Sequence, residues 1–304
     1  MIRAVVLGAA IAAGPLFAQA DELRIRKGLC EASAVARLDD NRIAVASDEI
    51  DELAVYGRAD TTPIWTEDLG SVRDIEGAAR IDDTVFWVTS HGLTKKGKDK
   101  PKRRKLLATR TGPQNLPVER GKKLDTLRQI LTGALDRLDS GVMGGVDIPA
   151  KLDIEGMTAT PKGALLVGLR APLTADGHAV LVHVAKPFAL LNLDQPSGGP
   201  DQNVAIAVDL GGRGIRGMTR DPAGTYIILA GPSGGDDATF ALFRWTGSGS
   251  PKQITGIDLT GMLPEAVIAW ETGLVEVFGD NGRTCSDEDT PESDRWFPSR
   301  MVRY

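Results

Sequence analysis

The sequence predicts an all-β fold, a single five-bladed β-propeller, and three observations carry that expectation. First, one segment recurs five times: a charged opening, a small-residue strand, a turn and a second apolar strand. The openings are Glu31-Ala32-Ser33, Glu76-Gly77-Ala78, Glu155-Gly156-Met157, Arg216-Gly217-Met218 and Glu265-Ala266-Val267, at steps of 45, 79, 61 and 49 residues. Repeats of that period in a turn-rich, glycine-rich chain (35 Gly of 304) form radial arrays of small sheets. Second, each opening runs into an apolar strand, at residues 43–46, 85–89, 165–169, 226–230 and 274–278. Third, only three strands follow Glu265, so the last blade needs a partner, and residues 23–28 can supply its fourth strand. That closure removes the open edges of a linear array. Six blades is the alternative count.

Taken in order, residues 1–20 are expected to be a signal peptide: Arg3 gives the positive start, 4–17 the apolar stretch, and Ala18-Gln19-Ala20 the small-residue cleavage site. The apolar stretch is too short for a convincing membrane span. The expected location is the periplasm or outside the cell, with residues 21–304 as one propeller domain. Blade one reads as strands at 31–37, 42–46, 52–56 and 63–67, blade three as 155–160, 164–169, 179–184 and 204–210, and blade four as 216–220, 225–230, 240–245 and 253–259. Blade two carries an insertion at about 122–140. There Leu124, Leu127, Ile130, Leu131, Ala134, Leu135 and Leu138 form the apolar face of an amphipathic helix of about 17 residues, ended by Gly141 and Gly144-Gly145. Such a helix either covers a hydrophobic patch on the propeller's side or lids the channel. The five tryptophans fall in or beside strands and are expected to pack between sheets.

Cys30 precedes the first repeat and Cys285 follows the last apolar strand. In a closed ring these regions are neighbours, and export permits a disulfide between them. Two free thiols in separate pockets are the plain alternative.

The formal charge is −5, and −6 once Arg3 leaves with the leader, which argues against a general nucleic-acid binder. Propeller topology places the starts of the innermost strands and the ends of the second strands on one face, near the axis. Glu31, Glu76, Glu155, Arg216 and Glu265 therefore form a ring there, joined by Asp74, Asp153, Asp48, Glu49, Ser90, His91, Arg170, Asp280 and Asn281. Asp74, Glu76, Asp153 and Glu155 make a hard oxygen cluster suited to Ca²⁺. Crowded carboxylates also separate their pKa values and serve as acid and base, so Glu76 and Glu155 are the candidate catalytic carboxylates, with His91 as proton carrier. Arg170 and Arg216 would orient an anion, beside Glu31 and Glu265. Each glutamate alternatively hydrogen-bonds the next blade and lines a wet channel. Directly after Ser90-His91-Gly92, residues 95–105 carry eight basic residues in eleven, Lys96 and Arg103 among them. This is either a solvated loop or a rim that collects anions, either a small molecule or a polymer. Without interleaved aromatic residues it does not suit nucleic acid. HExxH, P-loop and CxxC motifs are absent.

Asp74-Ile75-Glu76-Gly77-Ala78-Ala79-Arg80, followed by Trp87-Val88-Thr89-Ser90-His91-Gly92 and the basic run, resembles the exported bacterial family called domain of unknown function 3616. Residues 152–156, 168–173 and 209–216 (DLGGRGIR) fit the same pattern, and the likeness spans nearly all of the mature chain. It implies a propeller and no assigned activity. The Asp-x-Glu-Gly opening is also similar to that of esterase-like phytase propellers, which implies phosphoester hydrolysis. The sequence thus points to an exported monomer that binds an anionic, phosphate-bearing ligand at the channel mouth, with Ca²⁺-assisted hydrolysis as its chemistry. The alternative is a non-catalytic scaffold that uses the basic loop and helix to hold a partner or polymer.

Overall fold

In the computed structural model, the second strand of each blade forms on a run of branched and small apolar residues. The structure describes residues 23–94, 96–112, 116–138, 141–194, 202–234, 239–281, 284–286 and 289–304, without the side chains of 118–122. The signal-peptide expectation, and Lys95 of the basic run, lie outside these residues. After β1 (Leu23–Lys27), blade one comprises β2 (Ala34–Arg37), β3 (Arg42–Ala46), β4 (Glu52–Gly57) and β5 (Trp65–Asp68). Blade two comprises β6 (Ile75–Ile81), β7 (Thr84–Thr89), β8 (Leu106–Thr111) and β9 (Pro117–Leu124). The helices α1 (Leu127–Leu135) and α2 (Ile148–Lys151) lead to blade three, which is β10 (Asp153–Ala159), β11 (Leu165–Ala171), β12 (Ala179–Val184) and, beyond α3 (Pro187–Leu190), β13 (Val204–Val208). Blade four is β14 (Gly214–Arg220), β15 (Tyr226–Gly231), β16 (Ala241–Trp245) and β17 (Lys252–Ile254). The last sheet takes β18 (Pro264–Glu271), β19 (Leu274–Gly279) and β20 (Trp296–Arg303), and β1 completes it, with Leu23 opposite Arg300 and Lys27 opposite Trp296. Five four-stranded antiparallel sheets result, so the five-blade count holds and six does not.

The second strands show why the apolar runs are continuous rather than alternating. β7, β15 and β19 are buried on both faces, between the sheets of neighbouring blades. The glycines after the charged openings serve the same packing. A Cβ on Gly77 would meet the Met157 backbone nitrogen at 3.1 Å, and one on Gly217 would meet the Glu265 carbonyl oxygen at 3.1 Å. Only glycine lets the innermost strands approach this closely around the axis.

Cys30 and Cys285 form a disulfide, 255 residues apart in sequence, that ties the start of blade one to the last blade. On the chain-entropy account a loop of that length contributes about 5 kcal/mol at most.

The insertion differs from its sequence reading. Leu124 ends β9, paired with Leu106, because residues 117–124 are needed as the outer strand of blade two. The helix is therefore nine residues, ending at Leu135 and well before Gly141. There the Asp136 amide closes onto the Thr132 and Ala134 carbonyls and tightens the last turn. Leu127, Leu131, Ala134 and Leu135 are buried with Phe86 and Leu106 of blade two and Val180 and Val182 of blade three. The helix packs against β12 and β13 on the flank of the propeller. Trp87, Trp245 and Trp270 are core residues, whereas Trp296 is exposed. No helix among the described residues is long and apolar enough to cross a membrane.

Candidate functional site: an acid-rich channel mouth

Four of the five ring residues occupy the same structural position. The innermost strand slips register against its neighbour between Ile75 and Gly77, Ile154 and Gly156, Ile215 and Gly217, and Pro264 and Ala266. Glu76, Glu155, Arg216 and Glu265 are the residues left over at those bulges. A bulge leaves one residue outside the ladder and re-aims its side chain, which explains why a repeated charged-Gly opening yields a ring at the channel mouth. In blade one Glu31 precedes β2 and is held instead by two hydroxyls and a backbone amide. Its Oε1 accepts from Ser33 Oγ at 3.2 Å, Ser47 Oγ at 2.8 Å and the Asp48 amide at 2.6 Å.

The ring divides into two halves. On one side the arginines pair with carboxylates, although Arg216 Nε has no hydrogen-bond partner. Arg216 Nη1 lies 2.7 Å from Glu155 Oε2, and its Nη2 bonds Glu265. Arg170 Nη1 lies 2.6 Å from Glu155 Oε1 and 3.8 Å from Asp153 Oδ2, and its Nε donates to the Pro232 carbonyl at 3.3 Å. On the other side, carboxylate oxygens of Asp48, Asp74 and Glu76 all lie within 4.8 Å of one another. Asp74 sits at φ 67° and accepts from Ser90 Oγ. Its other oxygen is 3.1 Å from Arg103. Glu76 has no hydrogen bond or ion pair among the described residues.

Burial and mutual repulsion push these acids upward. Desolvation raises Asp74 and Asp153 to about 6 and Glu155 to about 7, against the pull of their arginines. Glu265 rises to about 8, driven first by burial and despite Arg216. Glu31 and Glu76 lie well above the usual range, Glu31 through burial and Asp48, and Glu76 through burial and the charges of Asp74 and Glu155. Acids outnumber arginines, so the mouth is anionic as built.

The four carboxylates expected to act together therefore divide: Asp74 and Glu76 stay together and are joined by Asp48, while Asp153 and Glu155 face arginines. Propeller topology places Asp48 on this face, but nothing in the sequence groups it with Asp74 and Glu76. His91 reaches the neighbourhood through its backbone alone. Its amide donates to the Arg103 carbonyl at 2.9 Å, its carbonyl accepts from Arg128, and its ring is fully buried. Burial first, then Arg128, lowers its pKa to about 3, so the imidazole is neutral at neutral pH.

Of the described basic run, Arg103 alone pairs with a ring carboxylate, whereas Arg104 pairs with Asp99 at 3.1 Å and Lys105 with Asp125 at 3.8 Å. Lys96 is exposed and has no ion pair with a ring carboxylate among the described residues. A short 3₁₀ turn at Pro101–Arg103 brings the run back to the propeller. Beside it lies a groove of about 690 Å³, lined by Asp48, Glu49, Arg73, Lys100, Lys102 and Arg103. The acid-rich mouth and this basic groove thus share Asp48 and Arg103.

Fold and site define a five-bladed propeller with an acidic channel mouth and a basic rim. The family model described as "Protein of unknown function (DUF3616)" matches residues 116–259, in line with the resemblance read from the sequence. The chain is similar in structure to the glutaminyl cyclase of Myxococcus xanthus, at 12% identity over 92% of this chain and 95% of that one, with a TM-score of 0.49. It is also similar to a protein of unknown function from Bacteroides thetaiotaomicron, at 9% identity over 93% of this chain and 73% of that one (TM-score 0.46). A third likeness is to the PQQ-bound aldose sugar dehydrogenase of Streptomyces coelicolor, at 11% identity over 93% of this chain and all of that one (TM-score 0.41). Likenesses this distant say nothing of the chemistry of this chain. No curated protein matches it.

Proposed function

We propose that the acid-rich mouth binds a hard divalent cation of the Ca²⁺ type and, through it, an anionic phosphate-bearing ligand that extends along the basic groove. The observation that carries this reading is the Asp48–Asp74–Glu76 group, whose oxygens lie within 4.8 Å of one another while Glu76 lacks a described partner. Ca²⁺ takes oxygens at about 2.3–2.6 Å, so two oxygens on one ion lie at most about 5 Å apart. Three carboxylates opposed by one guanidinium retain net negative charge for a cation.

Arg170 and Arg216 play a different part in this reading from the anion clamp expected at first. Both are neutralised by Glu155, Glu265 and Asp153, so a ligand anion would have to break buried ion pairs to reach them. They hold Glu155 and Glu265 in place, and the anion meets Arg103, Lys100 and Lys102 instead. A bound Ca²⁺ would supply charge to the ligand's oxygens. Glu155, titrating at about 7, is the residue suited to exchange a proton near neutral pH in a hydrolytic step.

Thermal unfolding in EGTA, in Ca²⁺, and in Ca²⁺ with inorganic phosphate or p-nitrophenyl phosphate tests this. A ligand at one hundred times its Kd adds about 2.7 kcal/mol to stability. The expected result is a Ca²⁺ shift that Asp74→Asn abolishes, and a phosphate shift seen only with Ca²⁺ present. Absence of any Ca²⁺ shift overturns the proposal.

A further inference from the structure

The opposite end of the channel carries a different set of groups. Here the innermost strands finish, and a cavity of about 350 Å³ opens among Arg37, Arg80, Thr158, Arg220 and the turn at Asp221-Pro222. Between the two mouths, where Gly77, Gly156 and Gly217 bring the strands together, the void is only about 10 Å³. That is scarcely room for one water molecule.

Charge at this end has the opposite sense. Arg80 directs Nε to the Asp82 carbonyl at 2.6 Å and Nη1 to the Leu38 and Arg37 carbonyls. These carbonyl partners fix the guanidinium without neutralising it, and Arg80 has no ion pair among the described residues. Arg37 donates to the Trp270 carbonyl at 2.7 Å and pairs with exposed Asp40. The Arg220 side chain has neither a hydrogen bond nor an ion pair among the described residues, although it lines the cavity. Of the two acids there, Asp221 is buried and already occupied, accepting from Tyr304 Oη at 2.9 Å and from the Thr225 amide at 2.8 Å. Asp82 stands exposed at the rim. The Thr158 hydroxyl, on a buried residue, adds a further polar group. The remaining wall is apolar, formed chiefly by Val35, Ala79, Met218, Val267 and Ile268.

We propose that this mouth is a second binding site, for a small organic carboxylate, with Arg220 and Arg80 receiving the carboxylate and the apolar wall receiving its hydrocarbon body. A guanidinium matches a carboxylate through two parallel N–H donors. The wall decides between oxyanions, since inorganic phosphate has nothing to place against it and an aromatic or branched acid does.

Isothermal titration of the purified protein with benzoate, with inorganic phosphate as the comparison, tests the assignment. Benzoate should bind one per chain. Arg220→Gln should weaken it by about tenfold or more, the usual loss for a charge-assisted hydrogen bond. Since Arg220 has no described partner to lose, that variant should keep the wild-type circular dichroism. Glu76→Gln, at the other mouth, should leave benzoate affinity unchanged, which keeps this site distinct from the cation site. No benzoate binding at millimolar concentration, or binding that Arg220→Gln leaves intact, overturns the proposal. Phosphate binding more tightly than benzoate at an Arg220-dependent site overturns the carboxylate class.

Discussion

Two buried charge clusters in this molecule look alike in composition and differ in outcome. At the closure seam, Arg26 of β1 and Glu276 of β19 pair at 2.9 Å with side-chain exposures of 0% and 1%. Glu276 also accepts from Ser299 Oγ and the Trp270 indole, both at 2.8 Å. Arg26 donates to the carbonyls of Gly57, Arg58 and Asp60, and its guanidinium lies 5.8 Å from the Tyr56 ring and 5.9 Å from the Phe278 ring. One cation meets one anion there, and the remaining polar atoms find partners, save Arg26 Nε. At the acidic mouth, by contrast, carboxylates exceed guanidiniums, Glu76 stands without a described partner, and the acids are pushed upward together. The contrast teaches that burial alone does not mark a site. A matched buried pair fastens the ring, whereas a surplus of one sign leaves room for a ligand of the other.

Glu276→Gln should have the largest effect. It removes one partner of a matched buried pair, so denaturant unfolding should show a loss of about 3–5 kcal/mol. A loss below about 1 kcal/mol would place the seam in the same class as the mouth.

A smaller effect separates the two by pH. The mouth acids have folded pKa values raised above their unfolded ones. The stability they contribute is therefore full below the unfolded values near 4 and is lost as pH rises through about 6 for Asp74 and Asp153, 7 for Glu155 and 8 for Glu265. In EGTA, the denaturation midpoint should fall steadily from pH 5 to pH 8. A midpoint that rises over this window would contradict the surplus of carboxylate.

The smallest effect sharpens the contrast at one residue. Glu76→Gln removes a carboxyl whose ionisation is opposed by burial and by the charges of Asp74 and Glu155, so in EGTA it should raise the Tm, by about 2 °C at high pH. The gain should shrink as the pH falls. Destabilisation at pH 8 would mean that Glu76 has a compensating role in the fold.

Much of this was legible in the chain. The ring was readable because a bulge repeats its sequence: the charged-Gly openings at Glu76, Glu155 and Arg216 each mark a re-aimed side chain followed by a close backbone approach. Closure by β1 was readable because strands come in fours and one was missing after Glu265. The helix start was not, since Leu124 continues the apolar spacing of a helix and equally suits the outer strand that β8 requires. Nor could Asp153 and Asp74 be told apart, although both stand two residues before a ring glutamate. Their fates depend on Arg170 beside one, from the same blade, and on Asp48 beside the other, from the neighbouring blade.

Alone, then, the sequence determined the all-β class, the five blades, the closure and the residues that converge on one mouth, because strand period, bulge and glycine are local properties. Tertiary structure alone decided which charges meet: Arg216 between Glu155 and Glu265, Arg26 against Glu276 across 250 residues, His91 sealed from water, and arginines gathered at the far mouth. Such pairings join side chains far apart in sequence, and the sign and number of neighbours, rather than any residue's own type, set whether a buried charge fastens the fold or awaits a ligand.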